Sequence, residues 1–83
     1  MTNSKWIGFI DEGPVTKSGK THLWKVIALN DGAMLGYVRW YGAWRKYSFY
    51  PLATTLYEST CLRDLAQFCD ERTREHREAS AEP

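Results

Sequence analysis

Cysteine is scarce in this chain, with two in 83 residues. That is too few for a disulfide-stapled scaffold. Cys61 and Cys69 both fall in a segment that reads as helix, where an eight-residue separation is roughly 12 Å of rise, beyond disulfide reach. Reduced, half-buried thiols are expected, as in a cytosol. Long apolar runs are also missing. "MTNSKWIGFIDEG" has no stretch of signal-peptide length, and no segment could span a bilayer. A soluble, cytoplasmic protein without membrane attachment is therefore expected. One-sided charge is missing too, since the net charge is only +1. Residues 21–60 carry Lys25, Arg39, Arg45 and Lys46 against Asp31 and Glu58, whereas residues 61–83 carry four arginines against six acids. A bulk polyanion binder would be more basic, so any nucleic-acid role must rest on one local surface.

Catalytic and metal patterns are equally thin. "SGKT" at 18–21 fails as a phosphate loop, because the glycine required five places before Gly19 is Pro14 and a strand-like segment follows. His22 and His76 have no second ligand at metal spacing, and the cysteines form no CxxC. His76 lies about 10 Å along the helix from Cys69, out of reach as its base. The acids Asp64, Asp70, Glu71, Glu75 and Glu78 interleave with arginines, as on a solvated helix face. No catalytic residue, metal or cofactor is implied.

What the chain has in abundance is aromatic side chains. "YVRWYGAWRKYSFY", residues 37–50, holds seven, with three cations and no acid. Alternation predicts strands at 5–10, 22–29, 34–41 and 45–50, with loops at 11–21 and 51–59. A helix follows over 60–77, capped by Ser59 or Thr60 with Asp64 in its first turn, and then a frayed tail over 78–83. Leu62, Leu65, Ala66 and Cys69, with Phe68 beside them, form the apolar stripe. Beyond Cys69 the stripe stops, and the helix is expected to run on in solvent. The predicted fold is a single α+β domain over 1–83, a three- to four-stranded antiparallel meander with one C-terminal amphipathic helix on one face (ββββα).

Turn chemistry sets the register. Asn30-Asp31-Gly32, with Gly32 left-handed, pairs Ala28 with Met34, Val26 with Gly36 and Trp24 with Val38. A two-residue Gly42-Ala43 turn pairs Tyr41 with Trp44, Val38 with Tyr47 and Gly36 with Phe49, leaving room for that ring beside the glycine. Trp24, Val26, Ala28, Met34, Gly36, Val38, Trp40, Tyr47 and Phe49 then share the face under the helix, with Arg45 at its rim. The other face gathers Lys25, Ile27, Tyr37, Arg39, Tyr41, Trp44, Lys46, Ser48 and Tyr50. Arg39 and Lys46 sit opposite each other in this register, which is unfavourable unless an anion intervenes, the two diverge, or the register differs.

Three fates compete for that second face. The first strand or residues 51–58 fold across it; or its rings and arginine anchor a protein partner; or its rings stack on bases while Arg39, Lys46 and Lys25 meet phosphates. The segments "WKV", "LGYVRWYGAWRKYSFYP" and "CLRDLAQFC", spanning Trp24 to Phe68, resemble a group of small, mostly uncharacterised proteins of actinobacterial bacteriophages and prophages. The first 20 residues lie outside the resemblance, which carries no catalytic signature and transfers no site residues. It implies a phage-encoded accessory protein of the host cytoplasm. The combined expectation is a non-enzymatic module that binds a host or phage protein, or a second copy of itself. Lys25, Tyr37, Arg39, Tyr41, Trp44, Lys46 and Tyr50 are its candidate interface. The alternatives are a small nucleic-acid-binding protein using the same face and a structural virion or assembly component.

Overall fold

In a computed structural model of the chain, residues 6–81 are described. Strands β1 (Ile7–Pro14), β2 (His22–Ala28), β3 (Met34–Tyr41) and β4 (Lys46–Pro51) precede helix α1 (Ser59–Ala81). The strands form one antiparallel sheet in chain order, with the helix packed on it. The ββββα meander is therefore the fold. Lys5, where the first strand was expected to begin, and the last two residues of the tail lie outside the described residues.

β1 runs four residues past its expected end. Asp11 still pairs with Trp24, and the register shifts only between Asp11 and Pro14, where Gly13 takes a φ of 97°. The Asp11 carboxylate holds that irregularity by accepting the Gly13 N–H at 2.7 Å. "SGKT" lies in the hairpin between β1 and β2, closed by the Val15 N–H donating to the Thr21 carbonyl at 3.0 Å.

The β2–β3 register agrees with expectation at Trp24↔Val38 and Val26↔Gly36, and then slips. Ile27 pairs with Met34, so Leu35 is an extra residue in β3. A bulge turns successive side chains the other way. Leu35 therefore packs on the core in the place expected of Met34, and Met34 is exposed. The turn itself forms as its residues dictate, with Gly32 at φ 76° and the Asp31 carboxylate accepting the Ala33 N–H.

The β3–β4 register differs from expectation by two residues. The connection is a four-residue loop, Gly42 to Arg45, and pairs Tyr41 with Lys46, Trp40 with Tyr47 and Val38 with Phe49. Arg45 adopts a left-handed φ of 54°, and the Trp44 and Arg45 N–H groups donate to the Tyr41 and Gly42 carbonyls. A slip of two preserves the face of every side chain, because strand alternation has period two. It also dissolves the charge conflict, since Arg39 now faces Ser48. Gly36 faces Pro51 rather than Phe49, yet the need for a glycine stands. A Cβ there would meet the Tyr50 carbonyl oxygen and come within 2.9 Å of the Phe49 ring.

Ile7, Val26, Val38, Tyr47, Leu65 and Phe68 form the buried core. The helix is rotated from its expected phase. Leu62 is 52% exposed and Ala66 is also exposed, while Cys61 packs against the core. Phe68 sets this phase: its ring stacks on Phe9 at 3.8 Å between centroids and meets Trp24 edge-on at 5.5 Å. Large rings bury the most area, so the turn that carries Phe68 faces the sheet. Leu65 at i−3 and Arg72 at i+4 follow it inward.

The polar half of α1 is attached to the sheet, contrary to expectation. Arg72 lies over the Phe68 ring at 4.7 Å. Its buried Nε–H has no hydrogen-bond acceptor among the described residues, and a ring face is the weak acceptor such a group can use. His76 stacks on Trp40 at 4.1 Å. Thr73 is buried; its hydroxyl accepts the Tyr47 N–H at 2.9 Å and donates to the Cys69 carbonyl at 2.7 Å. That bond satisfies a backbone donor of edge strand β4. At the other end, Glu58 rather than Ser59 or Thr60 caps the helix. Its carboxylate accepts the Cys61 N–H at 2.8 Å, and the Cys61 and Thr60 amides hold its pKa below the usual range.

Candidate functional site

Because one helix covers one face, the opposite face of the sheet depends on what the rest of the chain does. β1 joins the sheet edge beside β2 instead of crossing the face. Residues 51–58 turn to the helix side, where the Tyr57 ring meets Phe49 edge-on at 5.4 Å and its hydroxyl donates to the Leu35 carbonyl. The face therefore remains uncovered among the described residues. Pairing places Ile10, Lys25, Tyr37 and Tyr50 in one row across all four strands, with Arg39 and Ser48 in another.

The seven residues expected to form one interface divide into three groups. Tyr37, Arg39 and Tyr50, with Leu23, line an apolar hollow of about 280 Å³. The Arg39 guanidinium lies 5.6 Å from the centre of the Tyr50 ring and is within ion-pair distance of no carboxylate among the described residues. Lys25 shares this face, but its ammonium is 3.7 Å from the Glu12 carboxylate. Tyr41 and Trp44 instead form an edge-to-face pair at 4.8 Å at the β3–β4 loop, with Trp44 68% exposed. Lys46 lines a separate hollow with Asp70, Thr73, Arg74, Arg77 and Glu78 of α1.

Glu12, Ile10 and Leu23 were absent from the expected site. Leu23 was legible, being one strand step from Lys25 on the same alternation. Glu12 and Ile10 required knowing that β1 lies beside β2.

By its sequence neighbours His22 stands alone at a strand edge, whereas the structure gives it a partner. Its Nδ1 lies 2.9 and 3.0 Å from the two Asp11 carboxylate oxygens. Desolvation raises the Asp11 pKa, but the His22 hydrogen bond and the Gly13 N–H together outweigh it and hold the carboxyl below its ordinary value. The pair borders a hollow of about 260 Å³ with Trp24, Tyr47, Arg72 and His76. The nearby Tyr47 hydroxyl accepts the His22 backbone N–H at 3.2 Å, and burial raises its pKa.

Neither thiol is activated. Burial and then Asp70 push Cys69 up to about 11, while burial and Glu58 raise Cys61. Such thiols are protonated at neutral pH and are poor nucleophiles. Among the described residues no group of three His, Cys, Asp or Glu side chains has metal-holding geometry, and no helix is long and apolar enough to cross a membrane. No protein-family model, curated protein or solved structure matches the chain.

Proposed function

We propose that this chain is a non-catalytic binding module, an accessory protein of the phage type, that docks on a protein partner through its uncovered sheet face. The observation that carries this reading is the hollow of Leu23, Tyr37 and Tyr50 around Arg39, an arginine without an acidic partner among the described residues. Rings and arginine are the side chains that dominate protein interfaces. Tyr37, Tyr50 and Leu23 supply contact area, while Arg39 and Lys25 orient an acidic partner surface. The distribution of cations favours protein over nucleic acid on this face, because Lys25 is engaged by Glu12 and Lys46 points into the helix-side hollow.

The test uses purified Arg39→Glu and Tyr37→Ser variants in two measurements. Sedimentation at two concentrations reports self-association, and capture from a host lysate reports a foreign partner. Both variants should stay folded and lose one of these associations. Unfolding by either substitution would make the face part of the core and end the proposal, and so would unchanged association in both measurements.

A further inference from the structure

The β3–β4 loop and the second half of α1 carry chemistry that the sheet face does not use. Arg45 and Lys46 follow Trp44 directly in the chain, and Arg74 and Arg77 approach from the helix. The junction is pinned. The Arg77 guanidinium donates to the Arg45 carbonyl at 3.3 Å, while the loop's own amides bond back to Tyr41 and Gly42. Lys46, Arg74 and Arg77 line one hollow of about 480 Å³ with Asp70, Thr73 and Glu78. The lining carries three cations against two acids, and Arg45 adds a fourth cation in the adjoining loop. Glu78 is met by Arg74 at 3.9 Å, which leaves Lys46 and Arg77 against Asp70 in the hollow. Directly before Arg45 in the chain, Trp44 is 68% exposed and braced edge-on by Tyr41.

We infer that this end of the molecule is a binding site for single-stranded nucleic acid, with one base stacked on Trp44 and the neighbouring phosphates held by Arg45, Lys46 and Arg77. A fixed, exposed ring next to several cations is the arrangement that grips a strand without reading its sequence. A single strand fits better than a duplex, because only an unpaired base presents its face to the ring. A membrane surface fits less well, since besides Trp44 the loop's only apolar side chain is Ala43. This site is separate from the sheet face and does not depend on the function proposed for it.

The test is fluorescence anisotropy of dye-labelled dT15 and rU15 with the full chain, at 20 and 200 mM NaCl. Three phosphate contacts give a salt slope near −2, so affinity for the preferred strand should fall about 100-fold over that range. Trp44→Ala should weaken binding about tenfold. Lys46→Gln should weaken it and reduce the slope by about 0.7. Asp70→Asn should tighten it, and Tyr37→Ser on the sheet face should leave it unchanged.

Absence of binding at 20 mM salt would overturn the inference, as would binding indifferent to Trp44→Ala and Lys46→Gln. A labelled octaglutamate peptide bound as tightly as the oligonucleotides would assign the site to acidic proteins instead. Cosedimentation with phosphatidylserine vesicles, lost in Trp44→Ala and without oligonucleotide binding, would assign it to a membrane surface.

Discussion

The two faces of the sheet are built from similar side chains and have opposite fates. Val26 and Val38 are fully buried under the helix, and Phe9 stacks on Phe68. On the other face Ile10, Lys25, Ile27, Tyr37 and Tyr50 come from the same strands at alternate positions, and none of them is buried. Ile27 is as apolar as Val26, so hydrophobicity alone did not decide which side became core. The decision lies with the helix, which brings Leu65 and Phe68 to one side only. A sheet face without such a cover keeps its apolar and aromatic side chains in contact with water.

The comparison breaks most easily on the covered side. Phe68→Ala removes the ring between Phe9 and Trp24, and such truncations cost ~3–5 kcal/mol. Total stability of small domains is ~5–15 kcal/mol, so urea denaturation should find this variant close to unfolded at 37 °C. A loss below ~1 kcal/mol would mean that the helix is not what holds the sheet.

The next effect is kinetic. With its pKa raised from 9.0 to about 11, Cys69 exposes roughly 100-fold less thiolate at pH 8 than an unfolded cysteine. Iodoacetamide labelling followed by mass spectrometry should show that protection, and unfolding in urea should abolish it. The sign follows from linkage: the folded thiol is the harder to ionise. The stability it contributes is complete below about pH 9 and is lost as pH rises toward 11.

Smaller again is Thr73→Val, which keeps the shape of the side chain but leaves the Tyr47 N–H without its acceptor. A buried unpaired donor costs ~1–3 kcal/mol, to be read as a lower urea midpoint with an unchanged slope. Smallest are Tyr37→Ser and Arg39→Ala on the uncovered face, each expected within ~0.5 kcal/mol of the parent. A loss comparable to that of Phe68→Ala would show that this face is also core, and the contrast between the faces would disappear.

Some of this was legible in the residues. The alternation in "YVRWYGAWRKYSFY" separated Val38, Trp40, Tyr47 and Phe49 from Tyr37, Arg39, Ser48 and Tyr50, and the structure keeps that division. Gly36 was recognised as making room for Phe49, though its partner across the strands is Pro51. Less of the site could be read. Lys46 alternates toward the uncovered face, yet lines a hollow with the helix because β4 is the edge strand nearest α1 and a long side chain there can lie to either side. The His22–Asp11 pair joins residues eleven apart, and nothing local announces it until β1 and β2 form a hairpin with its irregularity at Gly13.

The sequence by itself determined the elements, their order and, outside the bulge at Leu35, the two faces of the sheet, because a period of two survives any even slip in register. Tertiary structure decided the rest. The left-handed Arg45 lengthened a turn from two residues to four, the bulge at Leu35 exchanged it with Met34, and the Phe68–Phe9 stack rotated the helix away from Leu62. Each of these choices compares whole arrangements of packed side chains whose local patterns are nearly equal in energy. Away from a bulge, local alternation fixes which face of its strand a side chain takes. Which residue it meets is settled only when the layers close.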